Sequence, residues 1–237
     1  MIIGPRSREQ LSRLGREWEQ GQHLFISGGT GLGKTTLARP IIQHRVDSDG
    51  FVMVMVCKIR PDQTILRDYK GFTRWENFKK RPSRWDNKVL LWPDLKGMPF
   101  TKALPIQREV FREAYDGLSE VGRWTVVTDD ALYVCSPRFL GLSSELAGLQ
   151  VMGRSSALTA VTLTQRPSHI PLESYDSMDH AFIGATREDL DSKRLANLGG
   201  RHAAREIQNR VSLLPKFNFL WVPVRSGRDP EVINLAE

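Results

Sequence analysis

His23-Leu24-Phe25-Ile26-Ser27-Gly28-Gly29-Thr30-Gly31-Leu32-Gly33-Lys34-Thr35-Thr36 decides the fold of this 237-residue chain. Residues 28–35 match GxxxxGK[ST] in full. Leu24, Phe25 and Ile26 are apolar and β-prone, and Thr36-Leu37-Ala38-Arg39 can open a helix, so the motif lies in the strand–loop–helix context it requires. Gly28, Gly29, Gly31 and Gly33 let the backbone turn its N–H groups inward around phosphate oxygens, with Thr30 and Leu32 completing the loop. The helix that begins at Lys34, Thr35 and Thr36 adds its positive N-terminal end. Lys34 can reach the β- and γ-phosphates and the Thr35 hydroxyl can hold Mg2+, so ATP with Mg2+ is the expected ligand. The bland alternative is a Gly-rich turn with a chance lysine, and it leaves the agreement of motif with context unexplained.

A second group follows at Trp124-Thr125-Val126-Val127-Thr128-Asp129-Asp130, an apolar strand ending in two carboxylates. Beside a phosphate loop, the first carboxylate supports the metal, directly or through water, and the second can polarise an attacking water. Taken alone, two Asp after a strand also read as an ordinary turn.

Composition bounds the rest. The length suits one α/β domain spanning residues 1–237 with an insertion, and 40% hydrophobic residues suffice for a buried core. The net charge of +7 favours a polyanionic partner, although surface charge can serve solubility alone. Cys57 and Cys135 adjoin apolar runs and read as buried free thiols of a reducing compartment. The longest apolar run, residues 51–57, is too short to cross a bilayer, and the N-terminus carries no signal-peptide pattern. A soluble cytoplasmic protein without membrane contact is expected.

Between these landmarks the periodicity predicts a helix over 7–20 with Leu11, Leu14 and Trp18 on one side. A second helix over 35–44 should be bent or ended by Pro40. Strands are predicted at 51–57, 89–92, 158–165, 181–185 and 217–224, the last as a terminal strand or hairpin. Helices are predicted at 107–120, within 136–153, and at 187–195 and 203–214, with Gly199-Gly200 as a break and 97–105 as loop.

The insertion, at about 61–105, contains the unusual stretch Arg67 to Lys88. It holds eight basic residues against three acidic ones, so +5 of the chain's +7. Tyr69, Phe72, Trp75, Phe78 and Trp85 are interleaved with them. Charge and rings together suit a nucleic acid strand. Equally, Phe72, Trp75 and Phe78 at three-residue spacing fit an amphipathic helix with core aromatics and solvated lysines.

With these groups in view, the chain resembles the FtsK–HerA superfamily of DNA-translocating P-loop ATPases, and within it the compact packaging ATPases of tailed phages. The resemblance rests on GGTGLGKTT, TVVTDD, GRSSALTAVTLTQRPS and AFIGATREDLDSKRLANL, in the family's order over roughly residues 22 to 200. Its least generic part is Thr164-Gln165-Arg166-Pro167-Ser168 after a strand, with Gly153-Arg154 before it. It implies an α/β three-layer P-loop fold (ASCE/RecA-like) with a mainly parallel sheet, in which the strand ending at Gln165 lies between the phosphate-loop strand and the Asp129 strand. Gln165 then faces the γ-phosphate, where an amide can donate to a phosphate oxygen and accept from water. Arg154 is the candidate finger reaching a neighbouring subunit's nucleotide, with Arg138, Arg166 and Arg187 as alternatives and a surface arginine as the plain reading.

The implied roles are Lys34, Asp130, Gln165 and Arg154 in catalysis and Thr35 with Asp129 at the metal. Many relatives have Glu where this chain has Asp130, so either Asp130 works at shorter reach or another carboxylate such as Glu145 acts instead. The implied function is ATP hydrolysis that drives double-stranded DNA through a homomeric ring, a pentamer or hexamer, as in viral genome packaging. A phage portal or procapsid and a separate nuclease are the implied partners. The rival readings are a conjugation- or secretion-type assembly ATPase and a small-molecule kinase.

Overall fold

The computed structural model describes residues 5–48, 50–60, 62–80, 86–186, 188–196, 198 and 204–236. Among the described residues, nine strands form one sheet: β1 (His23–Ser27), β2 (Phe51–Met55), β3 (Thr73–Trp75), β4 (Lys88–Leu91), β5 (Trp124–Thr128), β6 (Thr159–Thr164), β7 (Met178–Gly184), β8 (Asn218–Pro223) and β9 (Glu231–Asn234). Their order is β3-β4-β2-β5-β6-β1-β7-β8-β9. All pairings from β3 to β7 are parallel, and β8 and β9 close one edge antiparallel. β6 therefore lies between β5 and β1, as the resemblance implied.

Apart from the edge strands β3 and β9, the strands are buried on both faces, so their side chains alternate between two cores. Leu24 and Ile26 of β1 point to a cluster with Leu11 and Leu14 of α1 (Pro5–Glu17) and Leu37, Ile41 and Ile42 of α2 (Lys34–Asp47). Phe25, between them in sequence, points to the opposite cluster. There it joins Phe111 and Leu118 of α4 (Phe100–Val121) and Leu146 and Leu149 of α6 (Ser143–Met152). Helix, sheet and helix make three layers, the expected α/β architecture. Short helices α3 (Gln63–Asp68), α5 (Ala131–Cys135) and α7 (Leu172–Asp176), with α8 (Asp189–Ala196) and α9 (Ala204–Ser212), complete the described chain. Among the described residues no helix is long and apolar enough to cross a membrane.

Three sequence expectations are corrected. Pro40 neither ends nor interrupts α2, which runs on to Asp47. The proline removes one backbone donor, but buried Ala38, Ile41, Ile42 and Val46 on both sides of it hold the helix to the sheet. Residues 100–105, expected as loop, are the first turns of α4, and Ala103 is already fully buried there. The stretch around Trp75 is not a helix. Gly71, at φ 86, separates α3 from strand β3, which pairs with β4 through Thr73 and Val89.

The aromatics of that stretch are core. Trp75 is 1% exposed and donates Nε1–H to the Asp86 carboxylate at 3.2 Å. Phe78 occupies the space that Gly117 of α4 leaves open, since a Cβ there would fall 2.2 Å from its ring. Lys70, Arg74, Lys79 and Lys80 are exposed, while Arg81, Arg84 and Trp85 lie outside the described residues. The segment proposed as an insertion, 61–105, thus contributes α3, β3, β4 and the start of α4.

Candidate active site

A cleft of about 430 Å3 opens at the carboxyl ends of β1, β2, β5 and β6. The phosphate loop forms its floor. Gly31 and Gly33 hold φ values of 75° and 93°, a left-handed conformation that side chains with a Cβ resist. Gly33 has a second constraint, because a Cβ there would come within 3.0 Å of Leu235 on the loop after β9. Lys34 opens α2 and folds back, donating to the carbonyls of Gly28 at 2.7 Å and Gly29 at 3.1 Å. Burial lowers its pKa, and the carboxylates of Asp129 and Asp130 oppose that shift. An ammonium with carbonyl partners that it can exchange for phosphate oxygens is suited to gripping an anion.

Asp129 follows β5 directly. The Thr35 hydroxyl donates to its Oδ1 at 3.4 Å. Burial raises the Asp129 pKa, adjacent Asp130 raises it further, and Thr35 and Lys34 pull it back. A desolvated carboxylate facing a hydroxyl offers two hard oxygens on one side of a cleft. The described residues hold no group of three or more His, Cys, Asp or Glu that could bind a metal alone. Two protein oxygens, with the remainder from water and phosphate, fit Mg2+.

Asp130 caps α5, its Oδ1 accepting from the Tyr133 N–H at 3.2 Å. Its other oxygen is not used by the cap and the residue lines the cleft. Glu145, the alternative base, is held elsewhere: it accepts from Arg112 of α4 at 3.2 Å and lines no part of this cleft. Gln165 reaches the cleft from the end of β6. Its Oε1 accepts from the Thr30 hydroxyl of the phosphate loop at 2.6 Å. The neighbouring Arg166 does not line this cleft; it is bound to Glu188 at 2.5 Å and Asp191 at 3.2 Å in an adjoining cavity that also touches Gly29, Thr30 and Gln165.

Lys34, Thr35, Asp129, Asp130 and Gln165 are therefore together, with Thr36 and the loop beneath them. Arg154 is not with them. It lies in the 3-10 turn before β6, at the amino end of the sheet, ion-paired with Asp179 of β7. Arg138 is exposed just after α5, and Arg187 lies outside the described residues. Four cleft residues carried no sequence signal: Cys57, Lys58, Ile65 and Phe217. Cys57 is a half-buried free thiol in the cleft wall, whereas Cys135 is fully buried as expected. Lys58 follows the end of β2, and because β2 pairs with β5 it comes level with the two aspartates. Only the strand order reveals that neighbour relation.

No protein-family model matches the sequence. Among solved structures, this chain is similar to the genome packaging NTPase B204 from Sulfolobus turreted icosahedral virus 2. The sulfate complex gives a TM-score of 0.64 at 15% identity, covering 91% of this chain and 96% of that one. The complex with ATP-gammaS gives 0.61 at 15% identity, covering 90% and 96%. VirB4 of Thermoanaerobacter pseudethanolicus gives 0.64 at 9% identity, covering 90% and 89%. At these identities the fold is what is shared, and it is the fold that the resemblance implied.

Proposed function

We propose that this chain is an ATP-hydrolysing motor subunit of the FtsK–HerA type that moves double-stranded DNA as part of a homomeric ring, as in viral genome packaging. The strand order carries the reading. With β6 between β1 and β5, Gln165 and Asp129 stand on the same side of the phosphate loop, where the γ-phosphate of a bound triphosphate lies. A Gly-rich turn of no function has no reason to gather these groups.

The residues divide the work by chemistry. The loop N–H groups and Lys34 hold the phosphates and balance their charge. Thr35 and Asp129 would hold Mg2+, which when bound would offset the charge of the phosphates. Asp130 accepts a proton from water as the water oxygen bonds to the γ-phosphorus. The bond from that phosphorus to the bridging oxygen breaks, and ADP and phosphate leave. Gln165, released from Thr30, orients the water. Arg154 acts across a subunit boundary.

Duplex contact is electrostatic in this reading. Tyr69, Trp75 and Phe78 are buried and offer no stacking surface, while Arg67 is 76% and Lys79 71% exposed. With those three rings buried, the exposed charges of the described part of the stretch are what can meet phosphates, and such contacts carry no sequence preference. A portal or procapsid, a separate nuclease and the cytoplasm of the cell complete the packaging reading.

The fold is also similar to that of the cytoplasmic domain of the type VII secretion ATPase EccC from Thermomonospora curvata, which supports a second reading of the same site, a conjugation- or secretion-type assembly ATPase. Thin-layer analysis of γ-labelled ATP across a protein dilution series tests the proposal. Free phosphate, released faster per chain where subunits associate, is expected. A phosphorylated acceptor would identify a kinase, and a rate independent of dilution would remove the ring and Arg154 from the mechanism.

A further inference from the structure

We infer that Phe217 is the surface on which the nucleobase of the bound triphosphate stacks, which rests on the ATP reading above. Sheet topology supplies the first argument. Asp129, Asp130 and Gln165 follow β5 and β6, on one side of β1, and so mark the γ-phosphate end of the cleft. A nucleoside must leave the phosphate loop towards the other side, over β7 and β8. β8 runs antiparallel to β7, with Phe219 opposite Gly184, so the start of β8 lies at the same sheet edge as the loop. Phe217 immediately precedes that start and lines the cleft.

Local packing supplies the second argument. The Phe217 ring stands 3.6 Å from the position a Cβ on Gly33 would take, so it adjoins the last glycine of the phosphate loop. Its backbone has φ 67°, a left-handed conformation rare outside glycine, and its carbonyl accepts from the Leu235 N–H at 3.0 Å. The β8–β9 hairpin therefore holds a strained residue with its ring against the loop and only partly buried. The Lys216 ammonium lies over the ring, 4.8 Å from its centroid, a flat-face contact that a stacking base would replace. A partly open ring edging a phosphate site, fixed from outside by backbone hydrogen bonding, suits a flat base.

The test is calorimetric titration of the full chain with ATP and with inorganic tripolyphosphate, both with Mg2+, for the wild type, Phe217→Ala and Phe217→Trp. Stacking predicts that Phe217→Ala weakens ATP about tenfold and leaves tripolyphosphate unchanged. Phe217→Trp should restore ATP binding and show added quenching by ATP but not by tripolyphosphate. Unchanged ATP affinity in Phe217→Ala, or equal weakening of both ligands, overturns the assignment. If Phe217→Ala leaves ATP binding unchanged and Lys34→Ala loses both ligands, the ATP reading stands and Phe217 has no part in it. If wild type binds neither, both fall.

Discussion

The two ends of one sheet both carry charges and use them in opposite ways. At the carboxyl end, Lys34 donates to carbonyls of its own loop, and Asp129 and Asp130 stand side by side at the edge of a cleft. At the amino end, Asp179 is 6% exposed, accepts from the His23 N–H at 2.8 Å, and binds both Arg154 and Arg225. His23 beside it is fixed in one tautomer. Its Nδ1 accepts from the Ala160 N–H at 3.0 Å, which leaves Nε2–H to donate to the Gln150 carbonyl at 2.7 Å. One end keeps polar groups available for a ligand at a cost in stability; the other closes them on each other and holds β1, β6 and β7 in register.

Substitutions should separate the two ends. Lys34→Ala has the largest expected effect, a loss of turnover of about a thousandfold or more, as expected when the main cation facing the transferred phosphoryl group is removed. The melting temperature should hold or rise, because burial disfavours that ammonium. Turnover and melting measured on one preparation check this, and a collapse of both would show that the carboxyl end is structural as well.

Acid should act first at the amino end. Burial pushes His180 down to about 4, with Asp179 opposing the shift and Arg228 adding to it. The folded state thus binds a proton less readily than the unfolded chain, whose histidine titrates near 6.5. The stabilisation, about 3 kcal/mol at most, is complete above that value and is lost as pH falls towards about 4. Burial lowers the His23 pKa in the same sense. Denaturant unfolding between pH 7 and pH 4 should show the loss, and His180→Phe should flatten it.

Asp179→Asn should cost about 1–3 kcal/mol, since it weakens a buried acceptor shared by a backbone N–H and two arginines. ATP turnover per folded molecule should be retained, as read by initial rates below the melting range. Arg154→Ala is the mildest change to the fold, below about 1 kcal/mol, because the arginine is half-exposed and Arg225 still serves Asp179. If Arg154 also serves a neighbouring subunit, turnover falls in associated protein and is unchanged at high dilution. Unchanged turnover at every concentration makes it a structural residue only.

The carboxyl end was largely legible because its chemistry is local. Gly28 to Thr35 is a contiguous motif, and Asp129 and Asp130 end a short apolar strand. Gln165 needed the resemblance, since its position depends on β6 lying between strands far apart in sequence. Phe217 and Lys58 were not legible, because each enters the cleft only through strand order. Pro40 and residues 100–105 misled for a different reason. Local propensity marked a break there, and buried contacts of α2 and α4 outweighed it. Around Trp75 the three-residue spacing of rings suggested a helix, although Gly71 and a β-prone Thr73-Arg74-Trp75 already favoured a strand.

Steady-state phosphate release by the wild-type chain, with and without duplex DNA over a series of salt concentrations, tests the central claim most directly. The account predicts release that duplex DNA accelerates, independently of its sequence, with an acceleration that fades steeply as salt rises. Release that ignores duplex DNA at every salt concentration, or no release at all, would contradict it.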